Sequence, residues 1–103
     1  MYTQLTTDNV METIARTEQG ILLCSKKLCP HCKNMEKVIE KFRTQHQQAA
    51  FFKLDTEEDP QAAAGLGAER VPTILIIKKG AVAASKTGLM NPRELTALFD
   101  SVK

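Results

Sequence analysis

The runs Ile21–Cys24 and Thr73–Ile77 carry no charged residue and almost no polar one. A strand that is apolar at every position cannot leave one face in water, so it must be covered on both sides. Two such strands in a chain of 103 residues require a sheet sandwiched between layers of helices. The rest of the sequence supplies those layers. Tyr2–Leu5 reads as a short edge strand. Thr7 or Asp8 is expected to cap a helix carrying Val10, Met11, Ile14 and Ala15 on one face, with Gly20 just past its end. A second helix starts near Cys29 and Cys32. Its residues Met35, Val38, Ile39 and Phe42 follow the i, i+3, i+4, i+7 spacing of a core-facing stripe, while Lys33, Lys37, Glu40, Lys41 and Arg43 take the solvated faces.

Ala50–Leu54 reads as a further strand, Glu57–Pro60 as an acidic turn, and Gln61–Leu66 as a short helix ending at Gly65 and Gly67. After Val71-Pro72 and the second buried strand, Lys79-Gly80 forms a turn into the more exposed strand Val82–Thr87, closing a hairpin. Asn91-Pro92-Arg93-Glu94 then gives an N-cap, a proline at the first helical position and a glutamate at the third. Leu95, Leu98, Phe99 and Val102 form the stripe of that last helix. The predicted order is β-α-β-α-β-α-β-β-α, an α/β fold with a central mixed sheet, helices on both faces and right-handed crossovers. No internal repeat, low-complexity segment or linker divides it, so residues 1–103 are expected to form one domain.

Net charge is only +2, with lysine and glutamate interspersed. Bulk electrostatics therefore gives no reason to expect nucleic-acid binding. No apolar stretch approaches the ~20 residues that span a bilayer, so no membrane partner is expected. The stretch Met1–Glu12 lacks the basic-then-apolar pattern of a secretory signal. Of three cysteines two form a close pair, unlike the even, dispersed set of a stapled secreted scaffold, and cytoplasmic residence is the expectation.

That pair, in Cys29-Pro30-His31-Cys32, is where the chemistry lies. Side chains at i and i+3 in the first turn of a helix face the same way, so the two thiols can close a small disulfide and reopen it. The first thiol stands where backbone N–H groups are unpaired and the helix dipole is positive, which favours a thiolate. A thiolate is the nucleophile of disulfide exchange, and a second thiol within reach releases the mixed disulfide. When His31 carries its charge it adds Coulombic stabilisation, about 4 kcal/mol at ~4 Å and an effective dielectric of ~20 before any penalties. Both effects hold the first thiol well below the ordinary thiol range. They predict a potential raised by tens of millivolts, since about 1.4 kcal/mol corresponds to ~30 mV for a two-electron couple. The competing reading is a metal-binding module with zinc-knuckle spacing. Zinc wants four ligands, and only Cys24, His31 and His46 remain, scattered over different elements. An iron–sulfur cluster shared across a dimer ranks lower still, and Cys24 reads as a small buried hydrophobe on its strand.

With the element order, the C-x-x-C at the start of the second helix and Val-Pro-Thr at 71–73 in place, the chain resembles a thioredoxin over nearly its whole length. Gly80 and Gly88 fall where that family uses glycines near its last two strands. The resemblance implies that Cys29 attacks and Cys32 resolves, with Pro30 and His31 tuning the couple. It implies a cis Val71–Pro72 bond packed beside the disulfide, with the Val71 backbone pairing to an extended substrate segment. It also implies protein disulfides as substrates, no bound cofactor, and restoration of the dithiol by a flavoprotein thioredoxin reductase drawing on NADPH; a monomer is expected.

The chain departs from the family pattern in three places. Pro-His replaces Gly-Pro inside the motif. Leu28, counted with the substrate-binding residues, stands where a tryptophan usually precedes the first cysteine. Leu23 occupies the position of a buried aspartate thought to help deprotonate the resolving thiol. Lys53, aligned with the family's buried lysine, has lost that partner and is expected to snorkel to solvent. Activation of Cys32 then depends on water or on the motif itself. Pro-His also occurs in strongly oxidising periplasmic relatives, which keeps an oxidase or isomerase as an alternative. A non-catalytic interaction domain with this fold would often have lost one cysteine, and this chain keeps both. A glutaredoxin would carry a Gly-Gly-Asp-like segment where Lys79-Gly80-Ala81-Val82 stands.

Overall fold

The computed structural model describes residues 2–102. Strands and helices alternate as β1 (Thr3–Leu5), α1 (Val10–Arg16), β2 (Gln19–Ser25), α2 (Pro30–Gln45), β3 (Ala50–Asp55), α3 (Pro60–Gly65), β4 (Thr73–Lys78), β5 (Ala81–Thr87) and α4 (Pro92–Asp100). The five strands form one sheet in the order β1-β3-β2-β4-β5. β3 pairs in parallel with both β1 and β2, while β2–β4 and β4–β5 are antiparallel. This is the mixed sheet that the two apolar runs require.

Those runs become the two innermost strands, and their alternation builds two cores. Ile21, Leu23, Ile74 and Ile76 face one side, against Met35, Ile39 and Phe42 of α2 and Leu95 and Phe99 of α4. Leu22, Cys24, Leu75 and Ile77 face the other, against Val10 and Ile14 of α1 and Ala62 of α3. Full burial of each large side chain contributes roughly 1.5–3 kcal/mol. The centre of the sheet thus fixes where β2 ends, and with it where the cysteine pair is delivered.

The first helix differs from expectation. Its N-cap is Asn9, not Thr7 or Asp8. A tight turn comes first, in which the Thr6 N–H donates to Asn9 Oδ1 at 2.8 Å and the Val10 N–H donates to the Thr6 carbonyl. The Thr7 N–H is held instead by Asp59 Oδ1 at 2.8 Å. Only Val10 and Ile14 are buried; Met11 and Ala15 are exposed, because so short a helix presents a single narrow ridge to the sheet. The helix ends at Thr17, whose hydroxyl donates to the Thr13 carbonyl. Gly20 is therefore not a helix stop. It lies within β2, where a Cβ would come 2.8 Å from the Ala50 carbonyl oxygen.

Elsewhere the punctuation works as read. Lys79 and Gly80 both take positive φ, 54° and 79°, the turn that joins β4 to β5. Asn91 and Glu94 form a reciprocal capping box, with the Glu94 N–H donating to Asn91 Oδ1 at 2.8 Å and the Asn91 N–H to Glu94 Oε1 at 3.0 Å. Among the described residues no helix is long and apolar enough to cross a membrane.

Candidate active site

β2 ends at Ser25, and the loop Lys26-Lys27-Leu28 carries the chain to Cys29, the N-cap of α2. Cys29 has extended backbone angles, and Pro30 opens the helix, where its missing N–H costs nothing. The Cys32 N–H points back and donates to Cys29 Sγ at 3.2 Å. This sulfur sits where a serine or aspartate oxygen would normally cap a helix, so negative charge on it is met by a backbone donor and by the positive end of the helix dipole. Cys29 and Cys32 are joined as a disulfide with their Cα atoms 5.2 Å apart. The two sulfurs are not equivalent. Cys29 is 7% exposed at the rim, whereas Cys32, one turn into the helix, is 1% exposed.

The other predicted residues cluster around this end of the sheet to differing degrees. Leu28 is 91% exposed, and together with Lys27, Cys29, Pro30 and Lys33 it lines a shallow cleft beside the rim sulfur. His31 is exposed in the first turn of α2. The Val71–Pro72 bond is cis. Pairing of Cys24 with Thr73 puts this proline loop at the same end of the sheet as the loop that carries Cys29. Pro72 is buried and its carbonyl accepts from the Gly88 N–H at 2.8 Å; Val71 is half-buried. Thr73 Oγ1 lies 2.5 Å from the Arg70 carbonyl, to which it donates, and 3.1 Å from Thr87 Oγ1. The loop is thus tied to β5 on one side and to its own approach on the other.

The metal-ligand candidates do not come together. Cys24 is buried on β2 in the cluster facing α1 and α3, and desolvation pushes its thiol up to about 12. His46 stacks on Phe42, with ring centroids 3.9 Å apart, at the far end of α2. Among the described residues no three His, Cys, Asp or Glu side chains are grouped as a metal ion would need.

Lys53 does not simply reach into solvent. Its Nζ lies 3.0 Å from Glu36 Oε2, both side chains being about one-third exposed, and it also stands over the Tyr2 ring at 5.7 Å. The Tyr2 hydroxyl is buried, and desolvation, followed by the nearby Glu36 and Glu40 carboxylates, raises its pKa above the ordinary phenol range. Glu36 is the residue that sequence reasoning passes over. Its signal is the i+4 spacing from Cys32, which places both on one face of α2.

The family model for thioredoxin matches residues 1–102. The chain belongs to the thioredoxin family. Among solved structures, desulfothioredoxin from Desulfovibrio vulgaris Hildenborough in its reduced form superposes with a TM-score of 0.87 at 44% identity, covering 98% of this chain and 97% of that one. Oxidised mitochondrial thioredoxin 3 from Saccharomyces cerevisiae shares the fold, with a TM-score of 0.87 at 22% identity over 98% of this chain and 95% of that one. Thioredoxin-1 of Saccharomyces cerevisiae is 38% identical over 60 residues, 58% of either chain. The chain is accordingly a thioredoxin-type protein-disulfide oxidoreductase, and its close cysteine pair fits the C-x-x-C of the family.

Proposed function

We propose that this thioredoxin reduces protein disulfides through the Cys29–Cys32 couple, acting as a single domain over residues 1–103. The Cys29 thiolate attacks one sulfur of a target disulfide, and the other target sulfur leaves as a thiolate that takes up a proton. Cys32 then loses its proton and attacks Cys29 Sγ. The Cys29–target bond breaks, the second target sulfur departs as a thiolate, and two electrons have passed to the target. Leu28, Val71 and the Pro72 loop receive the substrate segment, the Val71 backbone pairing with it as an added strand. The dithiol is restored by a flavoprotein reductase that draws on NADPH, in the cytoplasm, and the protein works as a monomer without a bound cofactor. Pro30 and His31 set the couple more oxidising than a Gly-Pro motif would.

The observation that carries this reading is the Cys32 N–H donated to Cys29 Sγ at the mouth of α2. A capping sulfur is stabilised as a thiolate before any substrate arrives. Alkylation of the reduced protein at pH 7, scored by mass spectrometry, tests it. Cys29 should react well ahead of an ordinary free thiol, and insulin disulfides should be reduced in the presence of a dithiol donor. Labelling no faster than that of a simple thiol refutes the assignment of the nucleophile.

A further inference from the structure

Attack by Cys32 requires that its thiol first lose a proton, yet this sulfur is almost wholly enclosed. A cleft of about 350 Å³ reaches Cys32 between α2, β1, β3 and the loop after β2. Gln4 of β1 and Ser25 at the end of β2 line it together with seven charged residues. Lys26 and Lys27 come from the loop, Lys33 and Glu36 from α2, Lys53 and Asp55 from β3, and Glu58 from the following turn. The three carboxylates differ in how they are engaged. Asp55 Oδ1 already accepts the Glu57 and Glu58 N–H groups, at 2.8 and 3.2 Å, and so fixes the turn. Glu58 is exposed and pairs with Lys27 at 3.4 Å. Glu36 is half-buried, as Asp55 is, but of the three it shares a helical face with Cys32, one turn away, and is held at 3.0 Å by the Lys53 ammonium.

We propose that Glu36 is the proton acceptor for the resolving thiol, working through a water in this cleft, and that Lys53 is the positioning residue that keeps its carboxylate turned inward. Charged and polar side chains line the cleft, which is large enough for water, and a bridging water transmits a proton between groups too far apart for a direct hydrogen bond. In the step, the Cys32 proton passes to water and a water proton to the Glu36 carboxylate. The Cys32 thiolate then forms the bond to Cys29 Sγ as the Cys29–target bond breaks. The leaving target thiolate is protonated from solvent, and Glu36 returns its proton to the cleft. Leu23 has no titratable group, so the function falls to a helix residue instead of a strand residue. The inference rests on the thiol–disulfide reading above and assigns the base within it.

The reaction of the reduced protein with 5,5′-dithiobis(2-nitrobenzoate) separates the two steps in a stopped flow. Attack by Cys29 releases a first thionitrobenzoate, and resolution by Cys32 releases the second. In Glu36→Gln the second release should slow by about tenfold or more at pH 7, in line with the worth of a positioned general base. Its pH midpoint should move upward, while the first release stays within about twofold of wild type. Asp55→Asn, which leaves Glu36 in place, should keep both phases near wild type. An unchanged second phase in Glu36→Gln overturns the proposal, as does an equal slowing of both phases or a second phase lost only in Asp55→Asn. A wild-type protein that releases no first thionitrobenzoate removes the exchange reading itself, a result distinct from all of these.

Discussion

Alkaline pH should turn Cys24 against the fold. Its side chain has no solvent exposure and sits among Leu22, Leu54 and Leu75 in the core between the sheet and α1 and α3. Loss of hydration pushes the thiol from 9.0 up to about 12. In the unfolded chain the same thiol ionises near its ordinary value. Between these limits the unfolded state has released a proton that the folded state keeps, so the unfolded state gains on the native one as pH rises. The stabilising contribution is complete below about pH 9 and is lost through the window up to about 12. The slope is roughly 1.4 kcal/mol per pH unit, and the whole window amounts to about 4 kcal/mol. Against a typical domain stability of ~5–15 kcal/mol this is a large share. Urea unfolding followed by circular dichroism from pH 8 to 11 measures it, with the disulfide kept closed so that Cys29 and Cys32 do not titrate. Tyr2, whose burial raises its own pKa, contributes equally to wild type and to Cys24→Ala. The variant should therefore start less stable and lose stability more slowly, the two curves converging with pH. Parallel curves would refute the idea that this thiol is buried as a neutral group.

Cys32→Ser should capture substrates, because Cys29 still attacks but nothing displaces it; a stable adduct on non-reducing gels is expected, and free turnover would show the resolving role to lie elsewhere. His31→Pro should lower the midpoint potential by tens of millivolts, read against a glutathione or dithiothreitol couple, and an unchanged potential would remove the electrostatic account of the Pro-His pair. Gly20→Ala should cost about 1–3 kcal/mol, since the new Cβ meets a backbone oxygen 2.8 Å away and β2 must move from β3. Thermal unfolding should then shift downward by several degrees per kcal/mol lost.

Sequence patterning reads well here where one force dominates. Ile21–Cys24 and Thr73–Ile77 had to be central strands because no alternative covers both faces of an unbroken apolar run. The capping box at Asn91 and Glu94 is a closed local circuit, complete within four consecutive residues, and it forms as read. The start of α1 failed for the opposite reason. Thr7, Asp8 and Asn9 all have capping chemistry; Asn9 takes the cap position with its side chain turned back to the Thr6 N–H, while Asp59, distant in sequence, takes the Thr7 N–H. Gly20 was misplaced because a glycine that ends a helix and one that lets two strands approach look alike until the neighbouring strand is known. At the site, Cys29 and Cys32 announce themselves by type and spacing. Glu36 does not: a glutamate on a lysine-rich helix reads as solvated surface, and only β3, by bringing Lys53 across, gives it a partner.

Leu28 has a thermal consequence. A leucine left 91% in water next to the reactive rim orders solvent that any partner covering it must release. Association through that side chain draws on roughly 1.5–3 kcal/mol of dehydration, entropic near room temperature and accompanied by a fall in heat capacity. If targets dock on it as proposed, their capture should weaken in the cold, a temperature dependence that the sulfur chemistry alone does not impose.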